Sequence, residues 1–342
     1  MMNQATRSPT PTLRTQVGIV LIGRNEGDRL LRCLDSIVGQ VETIVYVDSG
    51  SSDGSCAAAA ARGVQVVELD RRRPFSAARA RNAGFRWISQ HHPEVAYIQF
   101  IDGDCEVVTG WLEAAAAELN QDAGITAVCG WRRERYPERS VFNRICDVEW
   151  HWGNVGEVGQ FGGDVMIRAN MLQAVNGYND NVIAAEDDEL GLRLRQLGGQ
   201  LMRIDYDSTI HDANITKISQ WWNRAKRCGY AYALVSSIHG APPERKFVKE
   251  VRRTMLWGAI VPLSSILLAI PSQGLSLLLL LRYPLVMGRT ILYTRERDFG
   301  WADSIAWGIS CGLSSFPEVL GIIKFHRNQQ RQQQHQIIEY KG

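Results

Sequence analysis

No two cysteines in this 342-residue chain are spaced as a CxxC pair. The seven present, Cys33, Cys56, Cys105, Cys129, Cys146, Cys228 and Cys311, are scattered and odd in number. That argues against a disulfide framework and predicts reduced thiols in a cytosolic environment. An excess of one charge is also missing: the formal net charge is +2, the remainder of two nearly equal populations, so no global field draws the chain to nucleic acid. Residues 1–16 are polar, with no apolar core of the length a secretory signal needs, so the first domain is expected to stay in the cytoplasm. Neither GxGxxG nor GxxxxGK[ST] occurs, which removes the usual support for dinucleotide and P-loop readings. No internal repeat of solenoid period is present either.

What is present is a hydrophobic content of 45%, enough for a sizeable core. From residue 17 onward, short β-rich apolar runs at 17–22, 43–47, 64–69 and 96–101 alternate with amphipathic stretches at 28–38, 55–62 and 76–89. This order predicts an α/β sheet covered by helices. Residues 125–129, 164–167 and 200–204 are candidates to extend the sheet, and 186–197 reads as a helix.

Near Gly240 the composition changes. Arg245, Lys246, Lys249, Arg252 and Arg253 precede an uncharged run over 254–281, broken at Pro271-Ser272-Gln273-Gly274 into arms shorter than a perpendicular span needs, about 20 residues. A third apolar stretch covers 304–317 and continues to Ile323. These stretches predict membrane-embedded or interfacial helices, with the basic cluster, and therefore the preceding domain, on the cytoplasmic side. The glutamine-rich end reads as disordered.

The most informative motif is Phe100-Ile101-Asp102-Gly103-Asp104, an apolar strand ending in two carboxylates. Carboxylates at that end of a strand are placed for ligands, and hard oxygen donors suit Mg²⁺ or Mn²⁺ bridging a diphosphate. The plain structural alternative is a turn. Two more strand ends carry polar loops, Gly23-Arg24-Asn25-Glu26 and Asp48 to Gly54, and a parallel sheet would bring them to one edge. A nucleotide held there would meet Asp48 and Arg24, although Asn25 and Asp53 are equally suited to capping helices.

Arg79 and Arg81 are candidates for a diphosphate or ribose, whereas Arg71, Arg72 and Arg73 suit a solvated face. Glu186-Asp187-Asp188-Glu189 opens a helix, where acids complement the macrodipole. One of them can do more. Joining a hydroxyl to an anomeric carbon with inversion needs a base opposite the departing diphosphate, and Asp187 is the candidate, with Glu186 beside it. His211, in Ile210-His211-Asp212, can complete a metal site or serve as a hydrogen-bonded structural histidine.

Taken in order, Arg24-Asn25-Glu26, Asp48 with 49–54, Arg81-Asn82-Ala83-Gly84, Asp102-Gly103-Asp104, Glu186-Asp187 and Arg193-Leu194 resemble the family 2 glycosyltransferases over roughly 17–232. The resemblance implies a GT-A fold, a Rossmann-like mixed α/β sheet with flanking helices, here followed by C-terminal membrane-associated helices. It implies a nucleotide site of Arg24, Asn25, Glu26, Asp48, Arg79, Arg81 and Asp102, a Mg²⁺ or Mn²⁺ site of Asp104, Asp102 and His211, and Asp187 as base. The donor would be a UDP- or GDP-sugar, and the acceptor a saccharide, most simply a lipid-linked one, as in enzymes of cell-surface polysaccharide synthesis at an inner membrane. The segment 220–224 is similar in content to the processive Q-x-x-R-W signature without matching it, which favours one sugar per acceptor. Two alternatives are a polyprenyl-phosphate glycosyl synthase and a catalytically silent nucleotide-sugar-binding scaffold. The expected organisation is a disordered tail over 1–16, the catalytic domain over 17–240, the membrane-associated region over 245–325 and a second disordered tail over 326–342.

Overall fold

A computed structural model describes residues 12–333 together with 336, 338 and 339. A short helix, α1 (Leu13–Gln16), leads into β1 (Val17–Gly23), whose first six residues are all buried. Beside it lie β2 (Thr43–Asp48), β3 (Gln65–Glu68) and β4 (Tyr97–Asp102), all parallel, in the spatial order β3-β2-β1-β4. Continuous apolar runs of this kind suit parallel strands with both faces covered. The covering helices are α2 (Asp28–Ile37), α3 (Ser55–Ala60) and α4 (Ala77–His91). Where Gly84 of α4 crosses β1, a Cβ would sit 2.4 Å from Val20.

Register fixes the functional edge. Gly23 pairs with Asp48 and Ile22 with Asp102, so the three polar loops leave the sheet side by side. After Asp102 the chain turns through Gly103 and Asp104 into β5 (Cys105–Val107), then α5 (Trp111–Gln121).

The second half mixes strand directions. It runs through β6 (Ile125–Glu134), α6 (Val141–Trp150), the two-residue β7 (Gly156–Glu157), β8 (Val165–Arg168), α7 (Ala169–Ala174), α8 (Glu186–Gln196) and β9 (Gln200–His211). β8 lies antiparallel between β4 and β6, and β9 runs parallel to β6 and antiparallel to β5. This mixed sheet matches the expected architecture. β6 and β9 are each longer than the apolar runs at 125–129 and 200–204, because their polar halves pair with one another: Arg133 meets Asp207 at 3.1 Å and Trp131 donates to Asp205 at 3.1 Å.

Beyond the sheet, α9 (Ile218–His239) packs on the C-terminal helices. These are α10 (Val248–Met255), a π-helical turn over Leu256–Ile260, α11 (Val261–Leu267), α12 (Arg282–Arg295), α13 (Trp301–Leu313) and α14 (Ser315–Gln330). The arm after Gly274 is longer than expected, since a 3₁₀ run over Leu275–Leu281 continues into α12. Leu275–Arg295 is thus one helix of 21 residues, long and apolar enough to cross a membrane, and α13 with α14, bent by 40°, would make a second span. The apolar side chains here are turned outward, with Ile270 91% and Leu267 76% exposed. Of the two expected tails, residues 13–16 and 326–330 are helical, while 1–11, 334–335, 337 and 340–342 lie outside the described residues.

α9 and α14 approach at backbone distance through two glycines. A Cβ on Gly229 would lie 1.9 Å from the Glu318 carbonyl oxygen, and one on Gly321 would lie 2.0 Å from that of Lys226. Gly321→Val is therefore expected to destabilise this contact by at least about 1–3 kcal/mol. In thermal unfolding, the variant should lose the C-terminal helices at lower temperature than the wild-type chain.

Candidate active site

The edge formed by β1, β2 and β4 carries the first part of the site. Asp48 is buried and ends β2; its carboxylate accepts from the Gly50 and Ser51 backbone N–H groups at 2.8 Å and from the Tyr46 hydroxyl at 3.0 Å. Asn25 adopts φ +54° and interlocks with that loop, its N–H donating to Ser51 Oγ at 2.9 Å and its Oδ1 accepting from Ser52 N–H at 2.8 Å. Glu26 pairs with Arg29 at 2.9 Å. Arg24 remains half-exposed, with its guanidinium 5.6 Å from the Phe75 ring centroid, so a cation and an aromatic face stand together at the rim.

The centre is Arg81 on α4, buried to within a few per cent. It donates to Asp102 Oδ1 at 2.9 Å, Glu186 Oε1 at 2.9 Å and Asp187 Oδ1 at 3.1 Å, joining β4 to the start of α8. Beneath it, the Tyr178 ring centroid lies 5.3 Å away. The chain reaches α8 through Ala185 at φ +59°, a left-handed conformation that a β-carbon disfavours and that functional sites commonly retain. Above the Arg81–Asp102 pair passes Gly163, where a Cβ would sit 2.6 Å from Arg81 Nη2; any side chain would collide with the pair.

The four acids opening α8 divide their partners. Glu186 and Asp187 take Arg81, Asp188 takes Lys246 at 2.9 Å, and Glu189 takes Arg193 at 2.7 Å and His239 at 3.0 Å. Macrodipole complementarity alone would not require such specific pairing. Burial pushes the Asp187 carboxyl up, to about 8, and Glu186, Asp102 and Asp188 add to this against the opposing pull of Arg81. Burial also acts to raise Asp102, but Arg81 and Arg132 outweigh it and hold that carboxyl below the usual range.

The second part of the site lies across the β4–β5 turn. Cys105 pairs with His211 in register, which sets His211 Nε2 3.2 Å from Asp104 Oδ2. Asp104, Cys105 and His211, all buried, offer donor atoms within 4.8 Å of one another. A carboxylate and an imidazole at this spacing fit a Mg²⁺ or Mn²⁺ ion. Asp102 lies outside this group but, with Cys105 and Asp164, offers a second set of donor atoms within 4.8 Å of one another, while its two oxygens also face Arg81 at 2.9 Å and Arg132 at 3.6 Å. Arg79 is a correction. Its guanidinium donates to the carbonyls of Asp70, Arg73 and Pro74, so it shapes the 70–74 turn instead of reaching a diphosphate.

Three residues not expected from sequence complete the site. Arg132 binds Asp164 at 2.6 Å, and Glu134 Oε2 stands 3.9 Å from His211 Nδ1. Asp164 Oδ1 is a buried acceptor without a hydrogen-bond partner among the described residues. The trace of Arg132 and Glu134 in the sequence is the charged run 132–135 after an apolar strand, which reads as a surface segment, and Asp164 stands apart from it.

Removing Arg81 would leave three carboxylates sharing one buried space. Arg81→Ala is therefore expected to destabilise the fold by about 3–5 kcal/mol, read by chemical denaturation, with Arg81→Lys intermediate because one ammonium cannot serve three directions.

Residues 19–170 match the model of glycosyl transferase family 2. Among solved structures, a mannosyltransferase of Pyrobaculum calidifontis, PcManGT, determined with GDP-Man and Mn²⁺, superposes with a TM-score of 0.54 at 18% identity, covering 86% of each chain. TarS 1-349 of S. aureus gives 0.52 at 14% identity, covering 86% of this chain and 90% of that one, and was also solved with UDP. A stretch of 64 residues is 39% identical to part of a TPR repeat-containing protein of Synechococcus elongatus; it covers 19% of this chain and only 16% of that protein. The matched model, the mixed sheet and the carboxylates at its edge agree: the chain has a GT-A fold, and residues 19–170 of it match glycosyl transferase family 2.

Proposed function

We propose that the chain transfers a single sugar, with inversion, from a nucleoside-diphosphate sugar to a lipid-linked saccharide at the cytoplasmic face of an inner membrane, as a step in cell-surface polysaccharide synthesis. The observation that carries this reading is the Arg81 bridge, which sets the carboxylate at the end of β4 and the pair Glu186-Asp187 around one cation.

In this reading the nucleoside lies along the Arg24, Asn25, Glu26 and Asp48 loops, with Asp102 near its ribose. Asp104 and His211 would hold Mg²⁺ or Mn²⁺, which supplies neutralisation of the leaving diphosphate. Structures of the P. calidifontis and S. aureus proteins with GDP-Man and Mn²⁺ and with UDP support a donor of the GDP- or UDP-sugar class. Asp187 accepts the proton of the acceptor hydroxyl as that oxygen bonds to the anomeric carbon, while the bond from that carbon to the diphosphate oxygen breaks on the opposite face.

Transfer of one sugar is supported by how 220–224 is used. Gln220 Oε1 accepts from the Thr216 and Lys217 N–H groups at the start of α9, and Arg224 is bound at 2.7 and 3.0 Å to Glu149. Membrane association is supported by the outward-facing leucines and isoleucines of 256–285, and a cytoplasmic catalytic domain by seven free cysteines.

Three outcomes follow. Chelation with EDTA should abolish release of nucleoside diphosphate from a UDP- or GDP-sugar panel, and added Mn²⁺ should restore it in the wild type but not in Asp104→Ala. Asp187→Asn should lower kcat for transfer by at least about a hundredfold. Because the folded Asp187 stays protonated up to about 8, only its higher-pH form is the base, so kcat/KM should rise with pH to about 8 and then level off.

A further inference from the structure

A cavity of about 440 Å³ lies at the seam between the catalytic domain and the C-terminal helices, and it shares no lining residue with the Arg81 cluster or the Asp104–His211 pair. α6 links the two places. Trp150 packs edge-on against His211, with ring centroids 4.6 Å apart, while the adjacent Glu149 lines the cavity.

The charge balance of its wall favours an anion. Arg224 is matched by Glu149, but Arg253 and Arg282 also line the cavity against a single further acid, Glu318, which accepts from Thr254 at 2.8 Å. Among the described residues no ion pair engages Arg253 or Arg282, and the Arg282 guanidinium lies 3.9 Å from the Trp257 ring centroid. Arginine forks match phosphate oxygens, and an arginine held against an aromatic face is already oriented for them.

Position says how such an anion would arrive. Arg282 directly follows the exposed leucines of 275–281, so the cavity stands where an apolar surface gives way to arginine and tryptophan, the composition of a membrane interface. We infer that this cavity binds the phosphate or diphosphate group of a membrane-borne polyprenyl chain whose sugar end is the acceptor, an assignment that rests on the sugar transfer proposed above. The phosphate stays in the cavity, the isoprenoid remains beside the leucines, and the saccharide extends past α6 to Asp187. A separate phosphate site of this kind suits a lipid-linked sugar better than a bare lipid phosphate, whose own oxygen would have to reach the donor.

The test uses the full chain in phosphatidylcholine nanodiscs, with intrinsic tryptophan fluorescence reporting the titration of a polyprenyl phosphate. Saturable binding is expected, absent for the polyprenol of equal length, absent for phosphatidylglycerol at equal charge, and not displaced by millimolar inorganic phosphate. Arg253→Gln combined with Arg282→Gln should weaken it at least about tenfold, the loss expected for charge-assisted hydrogen bonds. Equal binding of polyprenol or phosphatidylglycerol, displacement by inorganic phosphate, or unchanged affinity in the double variant would overturn the assignment. The wild-type arms need no variant to fold. Metal-dependent hydrolysis of donor by the wild-type samples reports separately on the catalytic reading, so loss of one and not the other identifies which has failed.

Discussion

A single buried guanidinium, that of Arg81, governs this catalytic domain. It is asked to satisfy Asp102, Glu186 and Asp187 at once, and Arg132 is the nearest second cation, shared with Asp164. Two cations among four carboxylates leave the centre short of positive charge. Ions taken out of water need such compensation in full, and burial, with Glu186, Asp102 and Asp188 adding to it against Arg81, pushes the Asp187 carboxyl up to about 8. In the proposed function, that incompleteness makes Asp187 a base whose proton affinity lies near neutrality.

The same bridge ties the fold together. It joins α4 to the end of β4 and to the first turn of α8, and from α8 the ties continue outward. Asp188 takes Lys246 from the segment leading to the C-terminal helices, and Glu189 takes His239 at the end of α9. α9 is in turn clasped to α14 through Gly229 and Gly321. The helix that carries Asp187 is therefore held from one side by the end of β4, through Arg81, and from the other by α9 and the segment leading to the C-terminal helices.

Much of the first half was legible because its strands are short apolar runs and its helices amphipathic, and both periodicities survive in the sequence. The motifs at the ends of β1, β2 and β4 fall on one edge, as a parallel sheet requires. The second half was legible only in part: the runs at 125–129, 164–167 and 200–204 lie in strands and 186–197 opens as a helix, but Arg132, Arg133 and Glu134 on β6 and Asp205 and Asp207 on β9 look like solvated loop until their cross-strand partners are known. Arg79 and Arg81 lie two positions apart on one helix with the same chemistry, and only the turn over 70–74 explains why one binds carbonyls and the other carboxylates. Gly103 is fitted to the neighbouring strand, since a Cβ there would meet the Ile22 carbonyl oxygen at 3.1 Å.

Direct displacement at the anomeric carbon, with Asp187 taking the acceptor's proton, is the step on which the proposed function rests. NMR of the product formed from a donor of known anomeric configuration tests this most directly. An inverted configuration in the product of the metal-loaded enzyme is predicted, and a retained configuration would contradict it.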